Sequence, residues 1–227
     1  MKINTFISKY FTVFSASIAL VYSLGANAAV GLFNTGVDNS NNLLLKGSID
    51  THYTVDAGKS TFATNDAEGY LGYWLAPDLL SSWITPKLGA NNTASGDFPS
   101  FGAFTYQTTF DLTGIDFSLL SIKGKVTADN GISDILINGI STGFTYGGPD
   151  SSAYSGFASF AISSGFHSGI NTLTFDVVNG SGPTGLRTEF DNITFTPAVP
   201  EPEVYALLIA GLGLVSFMAR RRRENQA

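Results

Sequence analysis

From residue 104 onward, bulky apolar and polar side chains alternate with a period of two. Phe104, Tyr106, Thr108, Phe110 and Leu112 share one parity, while Thr105, Gln107, Thr109 and Asp111 share the other. Leu120, Ile122, Val126 and Ala128 stand against Ser121, Lys123, Lys125 and Thr127 in the same way, as do Leu173, Phe175 and Val177 against Thr172, Thr174 and Asp176. Successive side chains of a strand point to opposite faces, so each run predicts a half-buried strand. One dry and one wet face per strand is the pattern of antiparallel sheets stacked on one another. Turn residues punctuate the runs. Asn138-Gly139 lies between two apolar runs, and both residues tolerate positive φ, which predicts a tight hairpin. Asn179-Gly180, Gly147-Gly148-Pro149 and Gly182-Pro183 mark further loops. The apolar parity shifts between Leu186, Phe190 and Ile193, Phe195, which requires a bulge or bend at Asp191 and Asn192. No part of the body sustains a helical period; 76–80 is expected to form only a short turn, and 89–100 a long loop. There is no internal repeat.

The two ends follow a different pattern. Lys2 and Lys9 precede an apolar run over 10–24, then Ala26-Asn27-Ala28, a small-x-small site that predicts signal-peptidase cleavage before Ala29. The first 28 residues are therefore expected to be an apolar signal-peptide helix. At the other end, Pro200-Glu201-Pro202 precedes an uncharged stretch over 204–219 and four arginines, Arg220, Arg221, Arg222 and Arg223. The proline pair keeps its segment extended. A helix over 204–219 would be about 24 Å long, slightly short of a bilayer's hydrocarbon core. The arginines would stop transfer and hold that end in the cytoplasm. The expected division is a signal peptide at 1–28, one β domain at 29–197, and a sorting tail at 198–223.

Composition narrows what the body can do. Residues 29–199 carry six Lys and Arg against fifteen Asp and Glu, a formal charge near −9. Such a body repels nucleic acid and anionic membrane surfaces, both of which require a positive field. With no cysteine, neither a disulfide nor a thiolate is available, so stability must come from the core. About 170 residues suffice for one domain with a substantial core.

The ordered trio of VPEP, short glycine-containing helix and RRRR over 199–223 resembles the PEP-CTERM sorting signal of Gram-negative bacteria. That resemblance implies an exosortase of the inner membrane that recognises the PEP segment, with Glu201 as the recognised acid, and removes the tail. It also implies a transient inner-membrane anchor, a final place at the cell surface or in the extracellular matrix, and a host that makes exopolysaccharide. The pieces YQTTFDLTG (106–114), VTADNGISDILING (126–139), GINTLTFDVVNGSG (169–182) and GPTGLRTEF (182–190) resemble galactose-binding-like jelly rolls, over approximately 48–196. This second resemblance implies an all-β, antiparallel β-sandwich of eight or nine strands, related to carbohydrate-binding modules. It further implies a structural calcium near the last strand, for which Glu189 and Asp191 are the candidates.

Catalytic chemistry has little support. His52 is expected on the outward parity of a strand and His167 in a loop, neither beside a motif, and no G-x-S-x-G elbow is present. Asp129, Asn130 and Asp134 lack the spacing and terminal glutamate of an EF-hand and are expected to set turns. Trp74, Trp83, Tyr146 and Tyr154 are the candidates for stacking on a sugar ring, with the two tryptophans expected mostly in the core and the two tyrosines more exposed. The sequence thus predicts a non-enzymatic exported β-sandwich, associated with exopolysaccharide and needing no cofactor. A glycan-specific binding module and, more remotely, a polysaccharide hydrolase are the alternatives.

Overall fold

Alternation over 102–111 and 170–179 produces the two longest strands, which run antiparallel from Ile170 opposite Asp111 to Asn179 opposite Gly102. The computed structural model describes residues 31–64, 73–88, 101–191, 196–197 and 202–224. Its strands are β1 (Ile49–Val55), β2 (Lys59–Thr64), β3 (Trp83–Thr85), β4 (Gly102–Asp111), β5 (Ile115–Asp116), β6 (Ile122–Asp129) and β7 (Gly131–Ile137). They continue as β8 (Ile140–Ser141), β9 (Tyr146–Gly147), β10 (Ala158–Ile162), β11 (Ile170–Asn179), β12 (Gly185–Phe190) and β13 (Thr196–Pro197), before the helix α1 (Pro202–Glu224).

Hydrogen bonding joins the strands in the order β10-β6-β12-β3-β2-β1-β4-β11-β7-β8, with β9 also on β7 and a separate pair of β13 and β5. The expected two stacked sheets are thus one continuous antiparallel sheet folded back on itself. The fold is closed by side chains: Phe160 of β10 meets Phe175 of β11 edge to face, with ring centroids 6.0 Å apart. Between the layers lies one apolar cluster. It includes Ile122, Val126 and Ala128 of β6, Ile132, Ile135 and Ile137 of β7, and Leu173, Phe175 and Val177 of β11. The turn-back falls around β1, which pairs with β2 along its length and with β4 only at Thr54 and Val55, while its register slips between Asp50 and Thr54. The Thr61 hydroxyl spans this bulge by donating towards the Asp50 and Tyr53 carbonyls. The result is a jelly-roll-like β-sandwich.

The expected hairpin is present. Asn138 (φ 52°) and Gly139 (φ 78°) both adopt left-handed backbone, and Ile137 pairs with Ile140 across them. Residues 76–80 form no helix; Asp78 Oδ1 instead accepts the Leu80 amide at 2.8 Å in a local turn. A 3-10 turn at Ala153–Ser155 was not foreshadowed by any pattern. β12 ends at Phe190, and the bend expected at Asp191 and Asn192 lies at the edge of the described residues. The signal segment with Ala26, Ala28 and Ala29, the loop at 89–100, and Pro200 and Glu201 lie outside them.

α1 occupies the place expected for the tail helix, opening at Pro202 and containing Arg220 to Arg223. Among the described residues, however, no helix is long and apolar enough to cross a membrane.

Candidate functional site

The two outer faces of the sandwich are treated differently. Over β6 and β12 the wet parity is covered. The 3-10 turn lies on Thr127, whose hydroxyl donates to the Ala153 carbonyl at 2.6 Å. An N-terminal segment lies along β12, with the Thr188 amide donating to Thr35 Oγ1 and the Phe190 amide to Asn34 Oδ1. Residues 75–81 are clamped there by Arg187, which donates to the Ser81 hydroxyl at 2.7 Å and to the Ala76 carbonyl.

Over β4, β11 and β7 the wet parity stays open. It forms a groove of about 610 Å³. Its floor is a ladder of cross-strand pairs: Thr105 opposite Asp176, and Gln107 opposite Thr174, which in turn faces Leu136. Thr105 Oγ1 donates to Asp176 Oδ1 at 2.9 Å, and Gln107 Nε2 to Thr174 Oγ1 at 3.3 Å. Asn138, Gly139, Thr172, Ile170 and His167 complete the far end. His167 Nδ1 lies 2.9 Å from the Ser168 carbonyl, which can only accept, so Nδ1 is the donor of this contact. The rim is held firmly. Asn171 Nδ2 donates to the His167 and Gly169 carbonyls, its Oδ1 accepts the His167 amide, and Asn138 Nδ2 donates to that same Oδ1 at 2.8 Å. Hydroxyls, two amides, one carboxylate and an imidazole beside exposed Ile170 and half-buried Leu136 suit a polyhydroxylated ligand with apolar C–H edges.

The aromatic candidates do not meet in this groove. Trp74 (4% exposed) and Trp83 (1% exposed) are core residues, stacked on each other with centroids 4.4 Å apart. Their indole N–H groups donate to Asp129 Oδ2 and to the Leu75 carbonyl, both at 2.8 Å. Both indoles are turned into the packed interior, as expected of most of their surface. Tyr146 and Tyr154 are half-buried at the loop end of the sandwich, where Tyr146 Oη donates to the Gly156 carbonyl and the Tyr154 carbonyl accepts the Leu75 amide.

The two calcium candidates sit in different surroundings. Glu189 is 3% exposed, and both its oxygens already face cations: Oε1 accepts from Arg187 and Ser81, and Oε2 lies 2.8 Å from Lys125 Nζ. A carboxylate neutralised by two fixed cations is a poor ligand for a third. Asp191 is exposed and its amide donates to the Lys123 carbonyl. Among the described residues no group of three or more His, Cys, Asp or Glu is arranged to hold a metal ion. Asp129, Asn130 and Asp134 also diverge. Asp129 is buried on Trp74, Asn130 ties the Ser151 carbonyl to the Gly180 amide, and Asp134 pairs with Asp176 on the sheet. Burial raises the Asp129 carboxyl to about 7, against a smaller lowering by the Trp74 hydrogen bond.

His52 follows the outward parity of β1 but is not free at the surface. Its ring stacks on Phe33 with centroids 3.8 Å apart, and Nε2 lies 2.9 Å from Asn39 Oδ1. The N-terminal segment that covers it carries no strand parity of its own.

Residues 198–223 match the PEP-CTERM protein-sorting motif, so the chain carries this sorting signal at its C-terminus. No curated protein matches the chain. Among solved structures it is similar to the apo form of the Pleurotus ostreatus lectin, with 16% identity over 49% of this chain and 34% of that one and a TM-score of 0.34. It is also similar to a CBM35 from Paenibacillus barcinonensis, with 18% identity over 67% of this chain and 100% of that one and a TM-score of 0.33. A family 35 carbohydrate binding module from Clostridium thermocellum matches with 9% identity over 62% and 95% and a TM-score of 0.31. The chain thus spans about a third of the lectin's length.

Proposed function

We propose that this protein is exported, trimmed by an exosortase, and binds extracellular polysaccharide without transforming it, through the open groove on β4, β11 and β7. The observation that carries the binding reading is the contrast between the two outer faces. One is covered by three loop segments, whereas the other presents a fixed ladder of hydroxyl and amide groups beside an apolar rim. Groups already held in place by strand pairing lose little freedom when a sugar takes over their hydrogen bonds. The strongly raised carboxyl, Asp129, is sealed behind Trp74 and is not among the groove-lining residues, so it has no route to act as an acid on a groove-bound glycan.

The ends supply the route. Signal peptidase acts before Ala29, and the tail helix with Arg220 to Arg223 holds the precursor at the inner membrane of a Gram-negative cell. The exosortase then acts at Pro200 to Pro202, with Glu201 as the recognised acid, and releases the body to the surface or matrix. This reading rests on the sorting motif at 198–223.

Native gels cast with neutral and charged polysaccharides test the groove. Retardation of the full-length protein in detergent should be lost in a Gln107→Ala, Thr174→Val double variant and kept in a Tyr146→Ala, Tyr154→Ala double variant. The reverse result would move the site to the loop end, and no retardation in any gel would leave a purely structural matrix protein.

A further inference from the structure

Among the described residues, Asp176 is the only carboxylate lining the groove, and no lysine or arginine lines it. Among the described residues its carboxylate takes one hydrogen bond, from Thr105 Oγ1. Directly across the β11–β7 pair stands Asp134, with the register slipping at the next step. Like charges directly opposite on one sheet face repel, so this arrangement costs stability unless a cation lies between them. Asp134 Oδ1 is closed off from solvent and has no hydrogen-bond partner, an unmet acceptor on the same face as Asp176. A third carboxylate, Asp56, lies at the same end and accepts the Thr105 amide at 3.0 Å.

We propose that the groove selects glycans bearing protonated amino groups, such as de-N-acetylated hexosamine polymers, with Asp176 as the counter-charge in the groove and Asp134 beside it on β7 adding to the negative field. This rests on the reading of the groove as a glycan site. Ligand chemistry decides between an ammonium and a metal ion. Calcium takes six to eight oxygens, whereas among the described residues no cluster of three such ligands is arranged to hold a metal. An ammonium has three N–H groups, which the Asp176 carboxylate, the Thr105 hydroxyl and solvent can satisfy. The remaining floor, Gln107, Thr174 and Leu136, continues along the strand and fits the uncharged part of the same or the next sugar. Uronate-bearing polymers are disfavoured by the same two carboxylates and by the body's charge near −9.

Calorimetry of the full-length protein in detergent against four soluble probes tests this: a glucosamine pentamer, an N-acetylglucosamine pentamer, cellopentaose and a galacturonate trimer. The glucosamine pentamer should bind at least about tenfold more tightly than the acetylated one, as a charge-assisted contact requires. Asp176→Asn should abolish that preference, while Asp116→Asn, an equal loss of charge at an exposed site off the groove, should leave it unchanged. Equal affinity for the free and acetylated pentamers, or an unaltered preference in Asp176→Asn, overturns the proposal. If neutral pentamers still bind and Gln107→Ala removes them, the glycan groove survives without amine selectivity. If no pentamer binds, both readings fall.

Discussion

Arg187 Nη2 lies 3.0 Å from Glu189 Oε1, two residues along the same face of β12, and both side chains are shut away from water. Lys125 completes the other side of Glu189, and Asp78 lies 3.0 Å from Arg187 Nη2, so two cations and two carboxylates neutralise each other beneath residues 75–81. Burial pushes the Asp78 carboxyl up, but the Leu80 amide, Arg187 and the Ser81 amide together hold it below the usual range. The Phe157 ring lies over both cations, 4.5 Å from Lys125 Nζ and 5.0 Å from the Arg187 guanidinium carbon.

Removing Arg187 therefore takes one of two cations from the buried Glu189 carboxylate and leaves the Ala76 carbonyl without its donor. Arg187→Met is expected to lose about 3–5 kcal/mol of stability, read from urea unfolding at neutral pH. Arg187→Met combined with Glu189→Gln should recover part of that loss, because the uncompensated charge is gone. A loss under about 1 kcal/mol in the single variant would mean that the cluster is not closed to water.

Asp129 makes stability depend on pH in a defined direction. Its folded value of about 7 stands above the ordinary 3.8, so between those values the folded protein holds a proton that the unfolded chain has released. Stability must then fall as pH rises across that window, with the full loss present above about 7. Melting temperatures from pH 5 to 9 should decline for the native protein and decline less for Asp129→Asn, which keeps an acceptor for Trp74 Nε1 and has no charge to bury. Parallel curves for the two proteins would contradict the assignment.

At the Asn138-Gly139 hairpin, one side chain serves the turn and the groove rim together. Asn138 adopts φ 52°, donates to the Gly165 carbonyl and Asn171 Oδ1, and accepts the Thr172 amide at 2.9 Å. Asn138→Gly restores the backbone freedom but none of the three bonds, and should lower stability by about 1–3 kcal/mol. Asn138→Ala adds the strain of positive φ and should be worse. Thermal unfolding of the pair separates the turn from the network, and equal melting temperatures would assign the whole effect to the network.

Deleting Pro200 to Pro202 is expected to leave an uncut precursor in the inner membrane, seen as a larger band in membrane fractions. Mass spectrometry of the native surface form should lack Arg220 to Arg223. Recovery of the same trimmed form from the deletion strain would remove the sorting assignment.

Strand positions, the Asn138-Gly139 turn and the sorting tail were legible in the sequence by itself, because each depends on neighbours within a few residues: parity, turn φ and the order of PEP, apolar run and arginines. The same parity placed Thr105, Gln107, Thr172, Thr174 and Asp176 on wet faces. Only the tertiary structure decided that they form one surface, since Gln107 and Thr174 lie 67 residues apart and meet through a strand register that no local pattern encodes. It alone also decided which wet face stays wet. Glu189 read as an available residue, and a loop without periodicity covers it through Ser81, which hydrogen-bonds Glu189 and Arg187 of β12. Burial is set by what is packed on top, and irregular segments write no pattern that announces where they will settle.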